Sequence, residues 1–530
     1  MQLRDSVPII GGSFKAKSRQ RFCCTSERFC LLRFDLKSST LYTIEGCSRR
    51  ILKFIAMLHP SFAICSNRVV TPEGVRPAAI LVDGEKVEGI VSKNLVPSQY
   101  LVEDVGDLVA MAGLVDTHVH INEPGRADWE GFETATKAAA AGGITTLVDM
   151  PLNSSPVTTT VEAFQQKITS ANGKLFVDCG FHAGLIPGNA GELPNLIDAG
   201  VLGVKAFLID SGLEDFPRVT HRDLRRAMPV IARREIPLLV HAELARREPL
   251  VRLDSALRKA RSSSTREYRT YLSSRPRKWE ERAIALMIRL CGHYRCRVHI
   301  VHLSNADAVP AVARARSEGL PITVETCPHY LCFSAGEIAD GDTRFKCAPP
   351  IREEENRGRL WAALQDGVID FIVSDHSPCP PSMKHLEEGA FGKAWGGISS
   401  LQLGLSIVWS EARKRGFSVE HVAEWMCRKP AELVGLHERK GSIAVGMDAD
   451  LVVWNPDEKF TVTEEMLYHR HKMTPYEGRE LSGTVEMTFL RGNRIYRKGS
   501  PAGQPKGTVL LREPSTTQHH REGSEAVATE

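Results

Sequence analysis

The 530-residue chain lacks the long apolar segments and the strong charge bias that mark several classes of protein. It has no run of about 18 apolar residues, the length that a membrane-spanning helix needs, so neither a transmembrane helix nor a membrane partner is expected. The net charge is only +4, and eleven Lys or Arg against four Asp or Glu in residues 1–58 more than account for it. The remaining chain is mildly acidic and offers no basic surface for a nucleic acid.

A disulfide framework and a secretory signal are absent as well. The 13 cysteines follow no regular spacing, which is typical of an intracellular, reduced protein. Residues 1–58 have no apolar signal core, and their bias toward basic residues, Ser and Thr leaves three interpretations open: an organelle transit peptide, a disordered extension or an artefact of the gene model. Residues 501–530 are polar, carry no Ser-Lys-Leu address and are predicted to be disordered.

Short apolar runs alternate with helical patterns through residues 113–439. Eight such runs cover 108–120, 143–151, 175–185, 203–208, 236–243, 296–304, 321–330 and 370–378. Helical patterns lie between them, for example over 129–143 and 279–293. Eight strands that alternate with helices predict an α/β fold with a (β/α)8 TIM barrel. An open, doubly wound sheet is the alternative.

The two flanks of this region have the character of β-structure. Residues 59–112 and 440–500 are rich in β-branched residues and glycine turns and show no helical period, which favours antiparallel strands. Neither flank has enough strands to cover its own apolar face, so both are expected to build one small β-sandwich. Residues 246–278 are strongly basic and are interpreted as a solvated excursion of helix and loop rather than a binding patch.

Five of the eight apolar runs carry a side chain that can bind a metal ion or act as a base. These side chains are His118 and His120, Lys205, His241, His302 and Asp375. Residues i and i+2 of a strand point to the same face, so the first two imidazoles can reach one ion. Each residue alone has an ordinary interpretation as a core residue or a helix cap. Their repeated position at the carboxyl ends of barrel strands, where barrel chemistry occurs, predicts a metal site.

Lys205 is unusual because it lies in the middle of the apolar run "GVKAFL". Four histidines and one aspartate exceed the three protein ligands of a catalytic zinc, so two ions are predicted, and two ions need a bridging group. An ammonium beside two cations is repelled, and burial favours the neutral amine, which can add CO₂ and offer one carbamate oxygen to each metal. A lysine that reaches the surface or pairs with a carboxylate is the alternative.

Several motifs together resemble one known group of enzymes. The stretches "GLVDTHVHINEPGRADWE", "GVKAFL", "VHAE", "VHLSNA", "VETCPHYL", "KCAPPIR" and "VSDHSPC" occur in order within residues 62–498. They resemble the amidohydrolase superfamily and, within it, the cyclic amidases. The resemblance is closest to the allantoinases, which open the hydantoin ring of allantoin to give allantoate. It implies a distorted barrel with a sandwich from both flanks, a homotetramer, and a place in purine degradation in the cytoplasm, peroxisome or mitochondrion.

The resemblance also implies roles for the metal-binding candidates. The more buried zinc ion would be bound by His118, His120 and Asp375, and the other ion by His241 and His302. N6-carboxylated Lys205 would bridge the two ions. A hydroxide held between the metals would attack the ring carbonyl. Asp375 would take the hydroxide proton as general base and return it to the leaving ring nitrogen as general acid.

Three further residues are candidates for substrate contacts: Asn122, Asn153 and Ser377. Dihydroorotases, which resemble this chain too, place an arginine two residues after the H-x-H pair to bind a substrate carboxylate. Asn122 occupies that position here, and a neutral amide suits the uncharged ureido arm of allantoin. Ser211 and Cys347 are weaker candidates, and they share with Ser377 an ordinary interpretation as turn or barrel-rim residues.

The alternative functions are a hydantoinase or dihydropyrimidinase type of activity, a dihydroorotase, and a non-catalytic scaffold related to dihydropyrimidinase. A complete set of candidate ligands favours an enzyme over the scaffold.

Overall fold

The computed structural model describes residues 61–245, 265–501 and 503–513. The predicted N-terminal extension, residues 1–58, lies outside the described residues. In chain order the strands are β1 Phe62–Thr71, β2 Gly74–Asp83, β3 Lys86–Val91, β4 Leu101–Asp104, β5 Val109–Ala112, β6 Leu114–Val119, β7 Ile144–Asp149, β8 Asp178–Phe181, β9 Ala183–Gly184, β10 Val204–Phe207, β11 Leu238–His241, β12 Val298–Ile300, β13 Ile322–Thr326, β14 Phe371–Ile372, β15 Leu451–Thr461, β16 Glu480–Leu490, β17 Asn493–Arg497 and β18 Ser500–Pro501.

The α-helices of the described ranges surround or connect these strands. They are α1 Phe132–Ala141, α2 Val161–Ala171, α3 Leu193–Asp198, α4 His221–Arg233, α5 Tyr268–Ser274, α6 Lys278–Tyr294, α7 Val309–Ser317, α8 Pro328–Cys332, α9 Glu354–Gln365, α10 Gly404–Lys414, α11 Val419–Ala423 and α12 Lys429–Leu433. A π-helical turn, Glu424–Arg428, joins the last two. No helix in the described ranges is long and apolar enough to cross a membrane.

Strands β6 to β14 form the predicted barrel. β6, β7 and β8 pair in one parallel sheet, and β9 to β14 pair in chain order in a second. β8 and β9 are the two halves of one barrel strand, interrupted at His182, and a parallel bridge between Val119 and His376 brings the eighth strand beside the first. All eight apolar runs therefore contain a barrel strand. The TIM barrel is confirmed, and the open doubly wound sheet is wrong.

The local sequence explains why the barrel strands and helices form where they do. Every residue of β6, β7, β10 and β11 is buried, as expected for a parallel sheet covered on its outer face by helices. Helix α6, predicted over 279–293, buries Ala283, Ile284, Met287 and Leu290 along one side, which is the spacing of an amphipathic helix. It ends at Arg295, whose left-handed conformation closes the last turn.

The sequence predicted a small β-sandwich made from both chain ends, and the two flanks do build one sheet together. Its nine strands follow the path β18-β17-β16-β15-β5-β1-β2-β3, with β4 beside β1. The junction between the flanks is the antiparallel pair of β5 and β15. Six of the eight strand pairings in this sheet are antiparallel, as expected, but β1 pairs with β4 and β5 in parallel. After β3 the chain passes through a loop and comes back beside β1, so β4 and β5 run in the same direction as β1.

A buried ion cluster ties this sheet to the barrel. Lys440 Nζ lies 2.9 Å from a carboxylate oxygen of Asp178 on β8, and 2.5 Å and 3.3 Å from those of Asp450 and Asp448. Arg491 pairs with Asp178 as well. Buried charges of this kind remain stable only when they are paired, so the cluster links the two parts of the fold through matched groups.

The segment after β18 differs from the prediction. Leu510 is only 5% exposed, its amide donates to the carbonyl of Cys179 at 2.9 Å, and the amide of Cys179 donates to Thr508 at 3.0 Å. The prediction of a disordered tail from residue 501 is therefore wrong for residues 503–513. A single apolar side chain and a few backbone hydrogen bonds order this segment, and a polar composition does not reveal them. Residues 514–530 lie outside the described residues.

The basic stretch that follows β11 also differs in part from its interpretation. Residues 246–264 lie outside the described residues, but α5 packs into the barrel rim. Tyr268 and Tyr271 are buried, and their hydroxyls donate to the carbonyls of Ile351 and Cys347 at 2.9 Å and 2.6 Å. The interpretation as a solvated excursion is wrong for α5, because its two tyrosines bring apolar rings into the core.

Candidate metal centre

Histidine rings and one carboxylate from four barrel strands meet at the carboxyl end of the barrel. Asp375 Oδ1 lies 3.2 Å from His118 Nε2 and 3.6 Å from His120 Nε2. The ring of His302 lies 5.4 Å from that of His118 and 4.6 Å from that of His241, measured between centroids. Nitrogen or oxygen atoms of His118, His302 and Asp375 all lie within 4.8 Å of one another. The structure thus brings these five predicted residues into one cluster.

Lys205 on β10 belongs to the same cluster. It is 1% exposed, and its Nζ lies 5.3 Å from the centre of the Phe207 ring. Burial lowers the pKa of Lys205 to about 8, against the opposing effect of the Asp375 and Glu325 carboxylates. Among the described residues, no carboxylate oxygen lies within 4.0 Å of Lys205 Nζ, the distance that defines an ion pair. Lys205 therefore neither reaches the surface nor pairs directly with a carboxylate.

Burial favours the neutral imidazole at three of the clustered histidines. It holds the pKa of His118 and His302 well below the ordinary value of 6.5 and also lowers the pKa of His241. The positive charge of Lys205 lowers all three pKa values further. A neutral imidazole is the form that binds a metal ion, so this environment prepares the rings for that role.

Two buried carboxylates orient two of the rings. His118 Nδ1 lies 2.5 Å from Glu325 Oε1, and His241 Nε2 lies 2.7 Å from Glu243 Oε2. Each contact occupies one ring nitrogen and leaves the other available to a metal. In addition, His120 and His302 each have a buried Nδ1 with no hydrogen-bond partner among the described residues.

These contacts test whether the cluster suits a metal. A buried nitrogen without a partner is costly and needs an explanation. Imidazoles with a carboxylate are a donor set that zinc and similar divalent ions prefer. The cluster therefore fits a divalent metal, and the free ring nitrogens are the observation that carries this conclusion.

Backbone strain coincides with the predicted site. Only eight residues other than glycine have a positive φ in the described ranges. Four of them are predicted site residues: Asn122 (69°), Asn153 (69°), His302 (40°) and Asp375 (45°). Such conformations cost free energy and concentrate at functional sites, because only a well-packed surrounding structure can maintain them.

The three predicted substrate contacts lie at the same end of the barrel, each in the loop that follows a strand. Asn122, Asn153 and Ser377 are 1%, 3% and 6% exposed. The Asn122 amide nitrogen lies 3.4 Å from the carbonyl oxygen of Pro378, while its Oδ1 is buried with no partner among the described residues. Asn122 therefore keeps an acceptor for a further group.

The two weaker candidates have structural roles. The Ser211 hydroxyl donates to the carbonyl of Phe216 at 2.6 Å, inside its own turn. Cys347 is buried, and its Sγ lies 3.3 Å from the carbonyl oxygen of Pro349. The ordinary interpretations as turn and rim residues fit these contacts.

The sequence interpretation missed several polar residues around the cluster: Asp116, His182, Glu243, His299, Glu325 and His329, all buried. Burial raises the pKa of Glu325 to about 8 and that of Asp116 to about 7. Glu243 was detectable, because it lies two residues after His241 and so shares its side of the chain. Glu325 had a weaker signal, as a lone charge in the apolar run "PITVET".

The barrel and the histidine cluster at its carboxyl face define a metalloprotein of the (β/α)8 barrel class. A family model described as "Amidohydrolase family" matches residues 109–495, and the chain belongs to this family. It is 50% identical to the allantoinase of Streptomyces avermitilis over 85% of this chain and 98% of that protein. It is 45% identical to the allantoinase of Arabidopsis thaliana, over 86% and 91% of the two chains. Within the family, the chain therefore groups with the allantoinases.

Solved structures agree with this placement. The L-hydantoinase (dihydropyrimidinase) of Arthrobacter aurescens superimposes with a TM-score of 0.79 at 31% identity, covering 85% of this chain and all of that one. The sequence resemblance to the cyclic amidases is thus confirmed. The chain is an enzyme of the cyclic amide hydrolase type, and its family implies a binuclear metal centre and a small-molecule substrate.

Proposed function

We propose that this enzyme hydrolyses a ring amide bond of allantoin to give allantoate. The observation that carries the proposal is the 50% identity with the Streptomyces avermitilis allantoinase over nearly the full length of that protein. The barrel rim supports it, because every candidate ligand that the resemblance implied is present and buried there. A non-catalytic scaffold would have no need to maintain neutral imidazoles and strained ligand-bearing loops at one site.

Six residues would hold two zinc ions in the proposed centre: His118, His120 and Asp375 for one, His241 and His302 for the other, and N6-carboxylated Lys205 between them. When bound, the two ions lower the pKa of water and polarise a carbonyl oxygen, which is the chemistry that amide hydrolysis needs. The lowered pKa of Lys205 supports the carboxylation, because only a neutral amine adds CO₂. The carbamate also converts a buried cation into an anion that suits two metals.

Asp375 is the proposed general base and acid. Its Oδ1 lies within 3.6 Å of both His118 Nε2 and His120 Nε2, and its positive φ aims the side chain into the cluster from the loop after β14. It would accept the proton of the attacking hydroxide and return it to the ring nitrogen that leaves. A single carboxylate can do both, because the proton it gains in the first step is the one that the second step requires.

Asn122, Asn153 and Ser377 are the proposed substrate contacts. The unpartnered Oδ1 of Asn122 can accept from an N–H group of the ureido arm. A substrate with a carboxylate would meet a neutral amide at this position and lose the paired interaction that an arginine provides. This favours allantoin over dihydroorotate.

Two properties outside the site belong to the same proposal. The assembly is proposed to be a homotetramer, and the enzyme is proposed to act in the cytoplasm, a peroxisome or a mitochondrion. A curated relative named mitochondrial allantoinase, from Aquarana catesbeiana, is 46% identical over 70% of this chain and 75% of that protein. Light scattering of the purified enzyme and imaging of the tagged full-length chain would test the two points.

One experiment tests the proposed function directly. The purified enzyme is analysed for metal and assayed side by side on allantoin, dihydrouracil and dihydroorotate, with Asp375→Asn as the inactive control. We expect about two zinc ions per chain and turnover of allantoin far above the other two substrates. Fewer than about one ion per chain with no ring opening would contradict the enzyme. Fast turnover of dihydroorotate would contradict the role of Asn122.

A further inference from the structure

The corner between α5 and α6, residues Arg275 to Glu280, contacts the ends of two neighbouring barrel strands. These are the strands β11 and β12, which lead to His241 and His302. The basic stretch to which the corner belongs gave no sign of such a role in the sequence. The contacts of its two ends show what this corner does.

One end of the corner holds the residues that follow β11. The Arg275 guanidinium pairs with Glu243 Oε2, and the same oxygen lies 2.7 Å from His241 Nε2. The backbone amide of Leu244 donates to the carbonyl of Trp279 at 3.0 Å. Glu243 is fully buried, and its Oε1 has no partner among the described residues. Arg275 therefore supplies an ion pair that holds Glu243 in place against His241.

The other end of the corner holds the loop that follows β12. Glu280 Oε2 accepts hydrogen bonds from the backbone amides of Ser304 and Asn305, each at 3.1 Å. Its Oε1 pairs with Arg352 at 2.6 Å, so the carboxylate is fixed on both sides. His302, just before these amides, has a φ of 40°. Such a conformation persists only where neighbouring contacts enforce it, and Glu280 provides two of them.

The remaining half of the cluster is held by groups outside the corner, and one of them, Glu325, also accepts from the amide of His302 at 3.3 Å. His118 contacts Glu325 of β13, and the amide of His120 donates to the carbonyl of His376 at 2.8 Å. Among the described residues, no hydrogen bond or ion pair joins the corner to His118, His120 or Asp375. The corner therefore supports only the half of the cluster that contains His241 and His302.

We propose that Arg275 is a positioning residue for the metal held by His241 and His302, acting through Glu243, and that the α5–α6 corner sets the affinity for that one ion. This rests on the ligand roles given under the proposed function. Without the guanidinium, the Glu243 carboxylate loses its ion pair with Arg275 and no longer fixes the ring of His241. The ion on the His118 and His120 side should be unaffected.

The test measures metal binding by the metal-free protein, with Arg275→Met as the main variant. Zinc affinities of the two sites are determined by competition with a chromophoric chelator. We expect one site to keep its affinity and the other to bind about 10–100-fold more weakly, the usual effect of losing support behind a metal-binding histidine. Excess zinc should restore kcat, which a misfolded protein would not show.

Three further variants make the result decisive. Arg275→Lys keeps the charge and should recover part of the affinity, and Glu243→Gln should weaken the same site as Arg275→Met. Arg269→Met is the matched control, because Arg269 is on the same helix α5 with its side chain 83% exposed. It should bind both ions as the wild type does.

The outcomes separate this inference from the proposed function. If the wild type binds two ions and Arg275→Met binds both with unchanged affinity, the inference is wrong and the function stands. Equal weakening of both sites would also overturn it, since the effect would then be general. If the soluble yield of Arg275→Met is too low, Arg275→Lys and Glu243→Gln decide by the same criterion. A wild type with fewer than two zinc sites would overturn the proposed centre and this inference with it.

Discussion

The lowered pKa of Lys205 predicts when the metal-free enzyme can be carboxylated. With a pKa of about 8, roughly one Lys205 amine in ten is neutral at pH 7, compared with about one in 3,000 for an unperturbed lysine. At pH 7 the reactive neutral form is therefore about 300-fold more abundant for Lys205 than for an ordinary lysine. Because the pKa is lowered, the neutral fraction rises about tenfold per pH unit below pH 8 and levels off above it.

Reconstitution of the metal-free protein tests this prediction. The protein is incubated with ¹³C-labelled CO₂ across a range of pH at a constant concentration of dissolved CO₂, and zinc is then added. The labelled carbamate is followed by NMR, and the recovery of ring-opening activity is followed in parallel. We expect the initial rates of carbamate formation and of activity recovery to rise with pH and to level off near pH 8, because each follows the neutral fraction of the Lys205 amine.

Two results would refute the reasoning. Recovery that does not depend on CO₂ would exclude a carbamate bridge. An initial rate that continues to rise toward pH 10 would show that the amine is not perturbed by its buried position. Lys205→Ala is the control: it should lose metal and activity at every pH, and short carboxylic acids in solution should restore part of both. Full metal content and normal turnover in this variant would show that the bridging role is wrong.

Three further predictions concern substrate binding and stability. Asn122→Ala should lower kcat/KM for allantoin roughly tenfold, the effect of losing one buried hydrogen bond, as steady-state assays would show. Lys440→Met should lower the free energy of unfolding by about 3–5 kcal/mol in urea titrations, because it leaves buried aspartates unpaired. Lys459→Met, at an exposed pair, should change it by less than about 0.5 kcal/mol. Leu510→Ala should cost about 1.5–3 kcal/mol if residues 503–513 are packed as described, and the half-exposed Leu511→Ala should cost less.

The metal-binding candidates were accessible from the sequence because the fold repeats. Each βα unit returns the chain to the same end of the barrel, so residues at equivalent positions in successive units become neighbours. His118, His241, His302 and Asp375 could therefore be grouped before any distance was known. The supporting residues could not be grouped in this way. Glu325 contacts His118 from the distant strand β13, and Arg275 reaches Glu243 from a loop whose path the sequence pattern does not specify.

The sequence was least informative where order depends on a few specific contacts. Residues 503–513 have the composition of a disordered tail, yet backbone pairing with Cys179 and the burial of Leu510 order them. Helix α5 lies in a strongly basic stretch, yet two tyrosines anchor it. In both places one or two side chains decide the outcome, and an average over many residues does not show them.

The sequence by itself determined the architecture and the chemical type of the site, because hydrophobic periodicity and the spacing of histidines depend on local order along the chain. The sequence also identified Lys205 as unusual, since a lysine inside a buried strand needs an explanation in any fold. Only the tertiary structure decided which carboxylate orients which ring, and which loop holds each half of the centre. These contacts join residues up to about two hundred positions apart, and their geometry depends on how the strands and loops pack.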